Sequence, residues 1–127
     1  MVVNIKIRKI LARIPLEILY ILIALLIAIY IHEFGHYLAA KNYGLDPKFG
    51  VDREGFFVET MSQDSHINAI INHSGPIFNL LISFLSLASI LILPKTGDFR
   101  LLFIVIAMTN TLVALISLST FAYTGVL

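Results

Sequence analysis

The sequence predicts an all-α membrane protein, three transmembrane helices with a small β-hairpin between the first and second. Three observations carry that prediction. Of the 127 residues 58% are hydrophobic and only 13% charged, about half the charge of an ordinary soluble domain. Three stretches, at about 15–43, 67–93 and 99–127, are long and apolar enough to cross a bilayer. Between the first two lies a polar stretch, 41–66, whose centre sets two short strand-forming runs around a glycine-containing turn. The same composition excludes other classes. A net charge of +1, with no arginine-rich or aromatic-interleaved patch, gives no footing for nucleic acid. The absence of cysteine removes disulfides and thiolate chemistry, so any metal ligand must be His, Asp or Glu. No repeat or low-complexity linker divides the chain, which reads as one membrane core, 15–127, behind a short leading segment.

Residues 1–14 interleave Lys6, Arg8, Lys9 and Arg13 with Val, Ile and Leu, as a basic interfacial segment does. A signal peptide is the rival reading, but no small-residue cleavage site follows. Pro15 suits a first helical position, and residues 16–38 have strong helix character. The uninterrupted apolar part, 18–31, covers only about 21 Å at a rise of 1.5 Å per residue, short of the roughly 30 Å of a bilayer core. The span therefore takes in the polar residues that follow, or lies re-entrant, and places them at or just beneath one membrane surface. Small residues Gly35, Ala39 and Ala40 let another helix approach. Asn42-Tyr43-Gly44 reads as a helix stop with Gly44 as C-cap and Pro47 beyond.

The hairpin, about 49–60, pairs Phe49-Gly50-Val51 with Phe56-Phe57-Val58-Glu59-Thr60 around Asp52-Arg53-Glu54-Gly55. A two-stranded hairpin is marginal alone, so it should lean on the helices, the lipid bilayer or a partner strand. Its free edge, with Phe56, Phe57 and Val58, would hold an extended polypeptide, although a plain connecting loop has equal standing. The second span has no charged residue, and its first third gathers Asn68, Asn72, His73, Ser74 and Asn79 about Gly75-Pro76. Polar residues in a span face protein or a water-filled cavity, and a Gly-Pro step suggests a kink or a locally opened helix. After the turn Pro94-Lys95-Thr96-Gly97-Asp98, the third span is uncharged from Leu101 to Leu127 and has only hydroxyls and Asn110 there as polar glue.

The first span ends in His32-Glu33-Phe34-Gly35-His36, the pattern H-E-x-x-H. Four residues apart on a helix, the two imidazoles share one face and can reach one metal ion. Glu33 can reach that face as a general base for an activated water. Snorkelling of these groups at a helix end is the plain alternative.

Together, YIHEFGHYLAAKNYG (30–44) and SGPIFN (74–79) resemble the site-2 protease family of intramembrane zinc metalloproteases, as does the order of helix, hairpin, Gly-Pro span and third span. The resemblance covers nearly the whole chain. It implies His32 and His36 as Zn2+ ligands, Glu33 as the base, and Asn79 beside the substrate with Gly75-Pro76. It also implies hydrolysis of peptide bonds in a transmembrane protein substrate. The family's third ligand is an aspartate on the third span. In this sequence Thr124 occupies that place, and no acidic residue follows Asp98. His73 is the first candidate to replace it. His66, Asp64, Glu59, a carboxylate from a second chain, or residues beyond Leu127 are the others. A catalytically inactive membrane relative that binds substrate or partner proteins without cleavage is the competing function. A small metal carrier is a third, without the charged pathway that flux needs. The polar faces of the spans also allow a homo-oligomer. Six Lys or Arg on the side of the N-terminus and the 95–100 turn, against three in the 41–66 loop, place the N-terminus in the cytoplasm. The resemblance implies the reverse, so the orientation of this multi-pass integral membrane protein stays open.

Overall fold

The computed structural model describes residues 2–53, 55–60, 62–92 and 98–124, the side chains of 2–15, 98 and 121–124 excepted. The order is α1 (Val2–Asn42), β1 (Lys48–Val51), β2 (Phe56–Glu59), α2 (Ser65–Ile92) and α3 (Asp98–Thr124). Three segments, Leu16–Asn42, Ser65–Ile92 and Phe99–Thr120, are long and apolar enough to cross a membrane. At 1.5 Å per residue their 27, 28 and 22 residues reach about 40, 42 and 33 Å. The chain is therefore a multi-pass integral membrane protein of three helices and one hairpin.

Helix α1 begins earlier than Pro15, running unbroken from Val2. Proline's fixed φ is helical, and the only bond it withholds is its own N–H. Residues 2–14 thus extend the helix, and their basic side chains lie outside the described residues. At its other end α1 stops in a Schellman motif. Leu45 N–H reaches the Ala40 carbonyl at 3.1 Å and Gly44 N–H the Lys41 carbonyl at 3.0 Å, with Gly44 left-handed at φ 74°. A side chain would be strained there, which is why glycine ends this helix. Helix α2 starts on Asp64, whose Oδ1 accepts from His66 N–H at 2.8 Å and Ile67 N–H at 3.4 Å. Asp64 is thereby a cap and is not turned back as a metal ligand. Helix α2 stays helical through Gly75-Pro76; the local opening that this step suggested does not occur.

The bundle buries what a soluble core would not. Among its buried residues are Ala24, Ala28, Ala40, Ile71, Ala107 and Ala114 with Ser74, Asn79, Ser83, Ser86, Thr109 and Asn110. Large apolar side chains such as Leu26, Phe84 and Leu115 point outward. In lipid the apolar side chains gain nothing by hiding, so close approach and hydrogen bonds hold the helices together. Ser83 Oγ, for instance, donates to the Ala107 carbonyl at 3.0 Å and lies 2.7 Å from Thr111 Oγ1. Helices α1 and α2 approach closely at Gly35. A Cβ on Gly35 would stand 2.8 Å from the Ser74 carbonyl oxygen and 3.0 Å from Gly75 Cα.

The hairpin is antiparallel, with Phe49 opposite Val58 and Gly50 opposite Phe57. Phe57 lays its ring over Gly50, where a Cβ would meet it at 2.3 Å. The Phe49 ring stacks on Tyr37 and Tyr30 of α1, at 5.0 and 6.3 Å between centroids. Tyr30 is twelve residues before the end of α1, about 18 Å along its axis. The hairpin therefore lies alongside α1 and does not sit over its end.

Candidate metal centre

His32, Glu33 and His36 each offer a ligand atom, and the three atoms lie within 4.8 Å of one another. Among the described residues this is the one such group of His, Cys, Asp and Glu. It is half-buried and lies six to ten residues before the end of α1, about 9–15 Å down the helix. The i, i+4 spacing puts both imidazoles on the α2 side. What receives them is Gly75: a Cβ there would come within 2.6 Å of His36 Nε2 and 2.9 Å of His32 Nε2. The missing side chain leaves the room in which the two Nε2 atoms converge.

Each ring is turned by its other nitrogen. His36 Nδ1 lies 2.7 Å from the Ile71 carbonyl oxygen; a carbonyl only accepts, so Nδ1 carries a proton, and in the neutral ring the lone pair is on Nε2. His32 Nδ1 lies 3.2 Å from Asn79 Oδ1. Such outer partners fix the orientation of metal-binding histidines. Glu33 Oε2 accepts the Val58 N–H of β2 at 2.9 Å, and its second oxygen keeps its own acceptor capacity. A cavity of about 230 Å³ beside it is lined by Tyr30, Phe49, Gly50, Val51 and Phe56.

Two imidazole nitrogens and a carboxylate suit a divalent transition ion, zinc among them. Bonds of about 2.0–2.1 Å set tetrahedral ligand atoms roughly 3.4 Å apart, and the atoms of this group lie within 4.8 Å of one another.

Other sequence-predicted residues stand elsewhere. His73 is not brought into the group: its Nδ1 lies 2.7 Å from the carbonyl of Ala69, one turn back on its own helix. Glu59 and His66 are likewise outside it. Asn79, placed beside substrate by the resemblance, is fully buried. Its Nδ2 donates to the Ala28 carbonyl and to Asn110 Oδ1, both at 3.0 Å, so it serves the fold and His32. Gly75 and Pro76 are buried in α2. In the hairpin, β2 turns Val58 N–H to α1, which leaves β1 with the outward edge. Phe56 lines the cavity, and Phe57 covers Gly50 on the sheet.

Thr124 is far from this level. Asn110 is where α3 touches the network, and Thr124 lies 14 residues on, at the helix end, about 21 Å along the axis. Its side chain lies outside the described residues. The residue one turn on from Asn110 is Ala114, buried and without a ligand atom. Asn110 escaped the sequence reading as a site residue, and Val58, expected on a free edge, enters instead through its amide to Glu33. A lone asparagine in an uncharged span is a signal that could have found the first. A backbone N–H leaves no trace in sequence. No protein-family model, no curated protein and no solved structure matches the chain.

Proposed function

We propose that this protein is an intramembrane zinc metalloprotease that hydrolyses peptide bonds of membrane-embedded substrates. The observation that supports the reading is the convergence of His32 and His36 Nε2 over Gly75, with the Glu33 carboxylate beside them, inside a membrane-spanning bundle. Zinc bound there would polarise a substrate carbonyl and make a water acidic enough to attack it. His32 and His36 would hold the ion, kept in orientation by Asn79 and the Ile71 carbonyl. Glu33, anchored by one oxygen, would take the proton from the attacking water with the other. As the oxygen–carbon bond forms and the carbon–nitrogen bond breaks, Glu33 would return that proton to the leaving amine. The outward edge of β1 offers unpaired backbone groups to an unwound stretch of substrate.

One observation favours the second reading, a non-cleaving relative that binds partner or substrate proteins. No third histidine or carboxylate outside the H-E-x-x-H motif joins the group among the described residues, and catalytic zinc sites ordinarily have three protein ligands. The deciding experiment loads the full chain with Zn2+ in proteoliposomes beside a panel of single-span proteins. Protease action predicts cleavage by the wild type and none by Glu33→Gln, with Zn2+ still bound by the variant. Zn2+-loaded, folded wild type that cleaves no member of the panel, yet retains one in pull-down, would establish the binding role instead.

A further inference from the structure

We infer that Asn110 of α3 is a positioning residue for the metal site: acting through Asn79, it selects the tautomer of His32 that leaves Nε2 unprotonated and turned to the ion. The purpose of this device rests on the metal reading above; the hydrogen bonds that establish it do not.

The argument starts from two backbone carbonyls, which can only accept. Asn110 Nδ2 donates to the Ile106 carbonyl at 2.9 Å, so its Oδ1 is the atom left to face Asn79. Asn79 Nδ2 meets that Oδ1 and the Ala28 carbonyl, both at 3.0 Å, and these two bonds use both of its N–H groups. Asn79 must then present Oδ1 to His32, 3.2 Å from Nδ1. Facing an acceptor, Nδ1 carries the proton, and the neutral ring keeps its lone pair on Nε2, the atom beside Gly75.

Reversing any member of the relay sets acceptor against acceptor or donor against donor. Flipping Asn79 would put its oxygen against both the Ala28 carbonyl and Asn110 Oδ1. Both asparagines are fully buried, so no solvent is at hand to satisfy a flipped amide. The relay also runs through all three helices, from α3 through α2 to α1. The third helix, which offers no ligand among its described side chains, thereby still governs the ligand on the first.

The test uses the full chain in detergent, with Zn2+ alone as probe and ring-15N histidine NMR as a second readout, His32 being assigned through His32→Gln. Asn110→Leu removes the acceptor. Zn2+ affinity should then fall about 10- to 100-fold, as loss of an outer partner does, and His32 should change from Nδ1–H to a mixture of tautomers. Asn110→Asp in its neutral form restores both contacts, its O–H to Ile106 and its carbonyl oxygen to Asn79. That variant should keep the wild-type tautomer and an affinity within a few-fold. Folded Asn110→Leu protein with unchanged affinity and tautomer overturns the inference. So does an aspartate variant that loses as much as the leucine variant, since packing would then be the cause. An Nε2–H His32 in metal-free wild type overturns it without any variant. Wild type that binds no Zn2+ sinks the metal reading, while the tautomer in wild type and leucine variant still decides for or against the relay.

Discussion

Two glycines at one helix crossing carry opposite consequences, and the difference lies in what a methyl group would strike. At Gly75 it would meet the far ends of the His36 and His32 rings, which can swing aside. Alanine is also favoured over glycine in a helix by about 1 kcal/mol. Gly75→Ala should therefore leave thermal stability near or above wild type and reduce Zn2+ affinity at least about tenfold, because displaced imidazoles no longer converge. At Gly35 the methyl would meet the Ser74 carbonyl and Gly75 Cα, which are backbone and cannot yield without parting the helices. Gly35→Ala should cost about 1–3 kcal/mol, as overpacking does. Thermal unfolding and Zn2+ titration of both variants check the contrast, and a stable, metal-binding Gly75→Ala protein would remove Gly75 from the site. At this scale the histidines were legible because a spacing of four on a helix leaves no choice of face. Gly75 was legible as an unusual residue, but not as the floor of the site, since its function is an absence of atoms.

The hairpin shows how an element acts through one backbone group. Val58 lies opposite Phe49, and its N–H goes to Glu33 instead of to β1, so the ladder does not depend on it. Proline at 58 therefore removes the bond to Glu33 and spares the pairing, as is tolerated on an outer edge. A hydrogen bond to a charged group contributes about 1.5–3 kcal/mol. Val58→Pro should then speed amide exchange at Gly50 and Phe57 by about 10-fold or more, whereas Val58→Ala, which keeps the N–H, should exchange as wild type does. Equal exchange in the two variants would mean that Phe49 stacking alone docks the hairpin. The three spans and the hairpin were readable from apolar length and from the turn residues 52–55. Where the hairpin would dock was not, because Tyr30, Phe34 and Tyr37 form a stacking face only once α1 is built. The membrane span starts at Leu16, yet the helix itself continues back through Pro15, because proline favours a first turn but does not require one.

For the molecule as a whole, a membrane core of alanines, serines and asparagines makes the polar residues the record of which faces meet. Asn79 and Asn110 fix the register of α2 against α3, and Ser83 with Ala107 and Thr111 extends it. That register moves the place where α3 meets the candidate metal site by about three turns from Thr124, a displacement no pattern in the third span betrays. Helices α1 and α3 run in the same direction, and Asn110 shares a level with Asn79, which holds both the Ala28 carbonyl and His32. One turn further along α3, Ala114 is buried on the bundle face, at the level where the histidines sit. No third ligand joins the group among the described residues, and the need for one can be tested by supplying a carboxylate there. Ala114→Asp should raise Zn2+ affinity over wild type, since a carboxylate completes three protein ligands with an open fourth position. In the absence of metal the same variant should be less stable than wild type, because a buried carboxylate without a partner is costly, and Zn2+ should restore it by mass action. Thermal unfolding with and without Zn2+ reads both signs at once. A variant destabilised alike in both conditions would show that position 114 does not face the ion, and the third ligand would have to come from another element or another chain.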